Sequence, residues 1–324
     1  MVTRRLGSRG PEVGALGLGC MGMSDFYGPT DRSESLATIA AAIDAGITLL
    51  DTGDFYGMGH NELLIREALA KIPRDRVQIS VKFGALRDFA GDWNGTDGRP
   101  VAVKNFLAYT LQRLGTDYVD VYRAARVDSA VPYEETIGAI AEMVKAGWVR
   151  DIGGSEIGAE TLRKAAAVHP ICDLQIEYSL VSRGIEAQIL PACRELGIAI
   201  TAYGVLSRGL ISGHWSKDRS LTARDFRSYS PRFSGENVDT NLQLVEALRR
   251  VAEAKGVSTA QLAIAWVLSR GTDIVPLIGA RTRERLMESI GALDVTLTPD
   301  DPAQIERAIP AGSAAGDRYA SYAM

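Results

Sequence analysis

Histidine and cysteine are scarce in this chain, with three of each among 324 residues. Cys20, Cys172 and Cys193 stand far apart, so the sequence suggests neither a disulfide framework nor a paired-cysteine zinc site. His60, His169 and His214 are equally scattered, and no multi-histidine metal centre is expected from them. Long apolar runs are missing too, and nothing approaches the ~18 residues of a membrane-spanning helix. Met1-Val2-Thr3-Arg4-Arg5 leads into Gly and Pro rather than a secretory core. No block of Lys or Arg interrupts a net charge of −4, which argues against a nucleic-acid surface. With 46% hydrophobic and 23% charged residues, the composition is neither disordered nor fibrous. The expectation is a cytoplasmic enzyme that meets small molecules rather than membranes or nucleic acid. Oligomeric state leaves no mark on the sequence.

What is present is alternation. Short β-branched runs are followed repeatedly by helical patterns, the signature of a parallel sheet. Strands are predicted at Ala15–Cys20, Ile47–Asp51, Val77–Lys82, Tyr118–Arg123, Val149–Gly153, Asp173–Glu177, Ile198–Tyr203 and Ile274–Ile278. The intervening helices have readable ends. Asp31 with Glu34 resembles a capping box ahead of Leu36, Ile39 and Ile43, and Gly46 stops that helix. Pro132 opens a helix ending at Gly147, and Ser258 with Gln261 opens another. Eight strands, each with a helix after it, predict an α/β fold of the (β/α)8 TIM-barrel type in one domain spanning 1–324. An open doubly wound sheet is the rival, because alternation alone does not close a barrel.

Four stretches fall outside the repeat. Thr3–Leu6 with Val13 suggests an N-terminal β-hairpin under the barrel, and Asp239–Lys255 reads as an extra helix. Ala85–Pro100 and Ile211–Val238 read as long loops after strands, on the face where barrel enzymes place substrate and cofactor.

Gly17-Leu18-Gly19-Cys20-Met21-Gly22 matches the dinucleotide glycine fingerprint and follows a strand. A Rossmann motif must open a helix, yet Ser24-Asp25-Phe26-Tyr27-Gly28-Pro29 continues as loop, so that reading fails. Asp51 and Lys82 end the second and third strands, and Tyr56 follows shortly after Asp51. Singly, each has a bland reading as a solvated rim residue or a packing tyrosine. In a barrel the three meet at one mouth, where Lys82 lowers the phenol's ordinary pKa of ~10 and Asp51 holds the lysine. That combination is a general-acid device for protonating a developing alkoxide.

Asp51-Thr52-Gly53-Asp54-Phe55-Tyr56-Gly57, followed by Asn61-Glu62 and Lys82-Phe83-Gly84, resembles the aldo-keto reductase superfamily. Similar stretches include Gly154-Ser155-Glu156, Gln175 to Leu180, Ala202-Tyr203 and Gly279-Ala280-Arg281, so the resemblance spans nearly the whole chain. It implies a TIM barrel and an NADPH-dependent reductase of small carbonyl compounds. By position it implies Asp51, Tyr56 and Lys82 as catalytic residues, with Tyr56 the proton donor. It places Gly19, Cys20 and Met21 beside the cofactor, Ser155 and Gln175 on the nicotinamide carboxamide, and Tyr203 against the nicotinamide ring. Leu206, Ser207, Arg208 and Gly209 match the pyrophosphate loop, although Gly204-Val205 departs from the more usual Ser-Pro. Gly279, Ala280, Arg281, Arg285, Glu288 and Ser289 match the adenosine end. Arg281 and Arg285 flank a predicted helix start, which favours a 2′-phosphate and hence NADPH. A solvated Arg/Glu helix face is the competing reading of the same residues. One departure stands out: the position of the family's catalytic histidine holds Ala125, leaving space for water, for Arg123 or for a bulkier substrate. That departure keeps open a regulatory or sensor protein with little turnover, or altered chemistry on a bulky substrate.

Overall fold

The computed structural model describes residues 1–222 and 225–319; part of the loop 211–238 and the end of the tail lie outside the described residues. An antiparallel hairpin comes first, β1 (Thr3–Arg5) with β2 (Glu12–Gly14). The eight strands that follow around the barrel are β3 (Gly17–Gly19), β4 (Leu49–Gly53), β5 (Gln78–Phe83), β8 (Val119–Ala124), β9 (Val149–Ser155), β10 (Ile171–Glu177), β11 (Ala199–Tyr203) and β12 (Ile274–Ile278). Leu277 and Ile278 of β12 pair in parallel with Gly17 and Leu18 of β3, and this last register closes the ring. Closure decides against the open sheet.

Every predicted barrel strand is present, with ends shifted by at most a few residues. Helices α1 (Arg32–Asp44) to α6 follow the strands in turn: α2 (His60–Ala68), α3 (Pro100–Leu114), α4 (Tyr133–Lys145), α5 (Ala159–Val168) and α6 (Ile189–Leu196). After β11 comes the extra helix α7 (Gly235–Ala254), then α8 (Thr259–Ser269), and α9 (Arg283–Ile290) and α10 (Asp301–Ala308) close the order. Ser258 and Gln261 form the full reciprocal capping box at α8. At α1 only half of it forms. Asp31 accepts from the Glu34 backbone, whereas the Glu34 side chain turns to Arg283.

The segment read as a loop over 85–100 contains a second hairpin, β6 (Ala85–Arg87) with β7 (Trp93–Thr96). Its signal is weak because Gly91, Asp92, Asn94 and Gly95 mask a strand whose main apolar anchor is Trp93. At the other end, Leu6 and Val13 of the first hairpin pack against Leu49, Val121 and Val275 inside the barrel floor. The larger core lies between the outer faces of the strands and the helices. Among the described residues no helix is long and apolar enough to cross a membrane.

Candidate active site

Parity brings the candidate residues together. Alternate residues of a barrel strand point inward, so β4 turns in Leu49 and Asp51, β5 turns in Ser80 and Lys82, and β8 turns in Val121 and Arg123. The next inward step, just past the end of β8, is Ala125. Ser155 ends β9, Gln175 lies on β10 and Tyr203 ends β11, all at the C-terminal mouth. Residues distant in sequence thereby share one site.

Asp51 is its hub. The carboxylate accepts from Lys82 Nζ at 2.5 Å, from Gln175 Nε2 at 2.7 Å and from Ser80 Oγ at 3.1 Å. Ser80 in turn accepts from Arg123 Nη2 at 3.0 Å, and Arg123 pairs with Asp173 at 3.0 Å. Arg123 is fully buried at the barrel centre and does not fill the space beside Ala125. The reason is steric room: Gly153 lacks the Cβ that would lie 2.7 Å from Asp173 and 2.8 Å from the guanidinium. Unpaired buried charges are costly, and this chain of partners pairs both, leaving only the Arg123 Nε without a hydrogen bond.

Tyr56 sits above the hub. Lys82 Nζ lies 5.1 Å from the centroid of its ring, and Phe55 and Phe26 meet the ring edge-on at 4.8 and 6.0 Å. Burial pushes the phenol's pKa well up, Asp51 adds to that, and Arg126 opposes it. This departs from the expected lowering by Lys82, whose charge is balanced by Asp51. Burial pulls the Lys82 ammonium down, and Asp51 counters that pull. The outcome keeps the proton on the phenol, the form a donor needs. The motif's other polar residues are scaffold. Asn61 accepts from Thr52 Oγ1 at 2.6 Å and donates to the Cys20 carbonyl at 2.9 Å, while Glu62 is held by Arg113. Asp54, buried near Glu62, is pushed up to about 8.

Ala125 is buried against Phe55 and Tyr56, with Met21, Phe26 and Ala85 beside it. Trp93 of the unforeseen hairpin stacks on Phe26 at 5.7 Å and leans on Phe55, extending an aromatic wall. None of the histidines takes the vacant role. His60 starts α2 beside Ser24, His169 caps α5, and His214 lies with Glu288 and Arg285.

The loops around the mouth carry backbone strain. Among the described residues, the five non-glycine residues with positive φ, Phe26, Met58, Glu156, Ser207 and Arg208, follow barrel strands at this face. Strain of ~1–3 kcal/mol each persists where surroundings over-determine it, commonly at ligand sites. Ser207, Arg208 and Gly209 form a left-handed run just after Leu206. Arg208 is 7% exposed and reaches Glu177 at 3.3 Å, yet its Nη1 has no partner. Nearby, burial lowers the pKa of Arg281, and Arg227 and Arg219 lower it further. Asp225 is bound by Arg227. An orphaned buried guanidinium nitrogen beside a crowd of like charges fits a polyanion such as a dinucleotide phosphate.

The remaining candidates frame that region. Gly19, Cys20 and Met21 form the end of β3 and the turn after it. Burial pushes the Cys20 thiol far up, which makes it an inert packing group. The Ser155 side chain is 2% exposed at the mouth, and Tyr203 shares a 2.7 Å hydrogen bond with Tyr319 of the tail. Gly279 and Ala280 follow β12, and a Cβ on Gly279 would meet only open space. Arg281 donates to the Tyr27 carbonyl, Ser289 is buried in α9, and Arg285 pairs with Glu288 at 3.0 Å. The Arg/Glu face and the anion-facing set are therefore partly the same residues. Sequence reasoning missed Arg126, Phe26, Trp93, Arg219 and Arg227. Only the position of the two long loops after strands pointed towards any of them. A cleft of about 530 Å³ beside Arg66, Gln112 and Trp148 holds none of the candidate residues.

A closed (β/α)8 barrel with a buried aspartate–lysine pair beneath a tyrosine at its mouth defines a barrel oxidoreductase. The chain belongs to the aldo/keto reductase family, whose pattern matches residues 15–310. It is 41% identical over 316 residues to a probable aldo-keto reductase 1 of Glycine max, covering 97% of this chain and 91% of that one. Its fold superposes on a glycerol dehydrogenase from Gluconobacter oxydans with a TM-score of 0.86 at 27% identity, covering 94% of each chain. An aldo-keto reductase from Bacillus halodurans gives 0.78 at 26% identity, covering 96% of this chain and 97% of that one.

Proposed function

We propose that this protein is an NADPH-dependent reductase of carbonyl compounds, able to run in reverse on alcohols, with Tyr56 as proton donor. The observation that carries the reading is the Asp51–Lys82 pair, buried at 2.5 Å and set 5.1 Å from the Tyr56 ring. A bound nicotinamide dinucleotide supplies the hydride. Ser155, Gln175 and Tyr203 are suited to hold its carboxamide and ring, next to the backbone of Gly19, Cys20 and Met21. Leu206, Ser207, Arg208 and Gly209 suit the pyrophosphate, with the orphan nitrogen of Arg208 as donor. Gly279, Ala280, Arg281, Arg285, Glu288 and Ser289 suit the adenosine end, where the arginines favour a 2′-phosphate.

Tyr56 gives its phenolic proton to the carbonyl oxygen as negative charge develops there, since an alkoxide is more basic than a phenolate. Lys82, held by Asp51, lies beneath the ring, and the Arg126 charge favours the phenolate left behind. Phe26 and Phe55, packed edge-on against the Tyr56 ring, shield the reacting atoms from water. The test is NADPH oxidation by purified protein with a panel of aldehydes and ketones, followed by absorbance and repeated with NADH. Carbonyl-dependent oxidation, faster with NADPH, is expected. Ala125 favours a second reading, a cofactor-binding protein with little turnover. NADPH binding without carbonyl-dependent oxidation across the panel would establish that alternative and overturn the first.

A further inference from the structure

Arg126 follows Ala125 at the end of β8 and lies half-buried in the mouth. Its Nη1 donates to the Ala125 carbonyl at 2.7 Å and its Nη2 reaches Tyr319 Oη at 3.5 Å. Three arginines near it are matched with carboxylates. Arg208 and Arg232 reach Glu177, and Arg318 pairs with Glu156 at 2.9 Å. Arg126 has no carboxylate within ion-pair distance among the described residues. After the Tyr203 and Tyr319 hydroxyls, the carboxylate that acts on it is Glu156, already taken by Arg318 and the Glu177 backbone. A guanidinium withdrawn from water without a counter-charge is unfavourable unless a ligand brings one. Its planar fork suits a carboxylate held by two parallel bonds.

Location narrows the ligand. The Ala125 side chain packs on Tyr56, and the Arg126 charge acts on the Tyr56 phenol. An anion held by Arg126 therefore lies close to the carbonyl that Tyr56 serves. On the Tyr56 side the mouth is walled by Phe26, Phe55 and Trp93. We propose that Arg126 anchors a carboxylate of the substrate, so that the carbonyl compound reduced here is an oxo acid with an apolar or aromatic body. The proposal rests on the reductase reading above. It also accounts for Ala125: an anchored carboxylate orients the carbonyl, a task that a methyl group cannot perform.

The experiment compares phenylglyoxylate with its methyl ester as substrates of the wild type, Arg126→Met and Arg126→Lys. In the wild type kcat/KM is higher for the acid. Arg126→Met loses roughly ten- to a hundred-fold more on the acid than on the ester, as expected for one charge-assisted contact. Arg126→Lys recovers part of the loss. Equal losses on acid and ester, or a wild-type preference for the ester, overturn the proposal. A second measurement does not need turnover: calorimetric titration of N-phenyloxamate, whose amide carbonyl resists hydride, into the NADPH-loaded protein. Binding that weakens at least ten-fold in Arg126→Met supports the anchor, and absent or Arg126-independent binding overturns it. If neither substrate turns over while binding still depends on Arg126, the reductase reading falls and the anchor stands.

Discussion

Replacing Lys82 by methionine removes the cation from a pair in which each side chain is 6% exposed. Asp51 then keeps only the neutral donors Ser80 and Gln175. Neutral hydrogen bonds contribute ~0.5–1.5 kcal/mol each, less than the several kcal/mol that a carboxylate loses on leaving water. Removing one partner of a buried pair costs ~3–5 kcal/mol. Arg123, joined to Asp51 through Ser80 at 3.0 and 3.1 Å, softens the loss, so the lower end of that range is expected. Asp51→Asn leaves Lys82 stranded and costs a similar amount. The double variant strands neither charge, and its cost falls short of the two single costs added together by about 2 kcal/mol. The assay is urea unfolding of the four proteins at neutral pH, comparing midpoints at equal slope. Costs that add to within ~0.5 kcal/mol would refute the coupling and with it the account of Asp51 as the lysine's holder.

Further outcomes are expected. Arg285→Ala weakens NADPH binding ten-fold or more and leaves NADH binding nearly unchanged; equal losses in a fluorescence titration would remove the 2′-phosphate assignment. Ala125→His raises turnover of small aldehydes at unchanged NADPH affinity, since one such donor is worth ~10²–10³ in rate. The imidazole enters a packed spot and costs ~1–3 kcal/mol of stability, and an absent gain in rate would mean that another group already orients the carbonyl. Asp54, raised to about 8 in the fold from 3.8, binds more protons folded than unfolded between those values. Its contribution therefore declines as pH rises from about 4 to 8. Asp54→Asn removes that slope, so its unfolding midpoint relative to wild type should be higher at alkaline than at acidic pH; a constant difference would contradict the assignment.

Much of the barrel was legible because each strand carries its own apolar run and some helices carry readable caps, Asp31 at α1 and Ser258 at α8. Closure was not, because it depends on Leu277 and Ile278 meeting Gly17 and Leu18, a pairing with no local signature. The hairpin over 85–96 escaped because its strands hold to the wall through Trp93 against Phe26 and Phe55 rather than through alternation. Asp51, Tyr56 and Lys82 were readable from spacing at strand ends. Arg123, one of the candidates for the space beside Ala125, could not be placed from the strand pattern alone. Here inward parity, Asp173 and the missing Cβ of Gly153 bury it. The rise of the Tyr56 phenol could not be read either, because burial by Phe26 and Phe55 from separate loops decides it.

The measurement that tests the central claim most directly is the single-turnover rate of NADPH oxidation by Tyr56→Phe against wild type, with NADPH affinity measured alongside. The account predicts a fall of ~10²–10⁴-fold at unchanged affinity, because the ring's packing remains and only the donated proton is gone. Near wild-type turnover in Tyr56→Phe would contradict it.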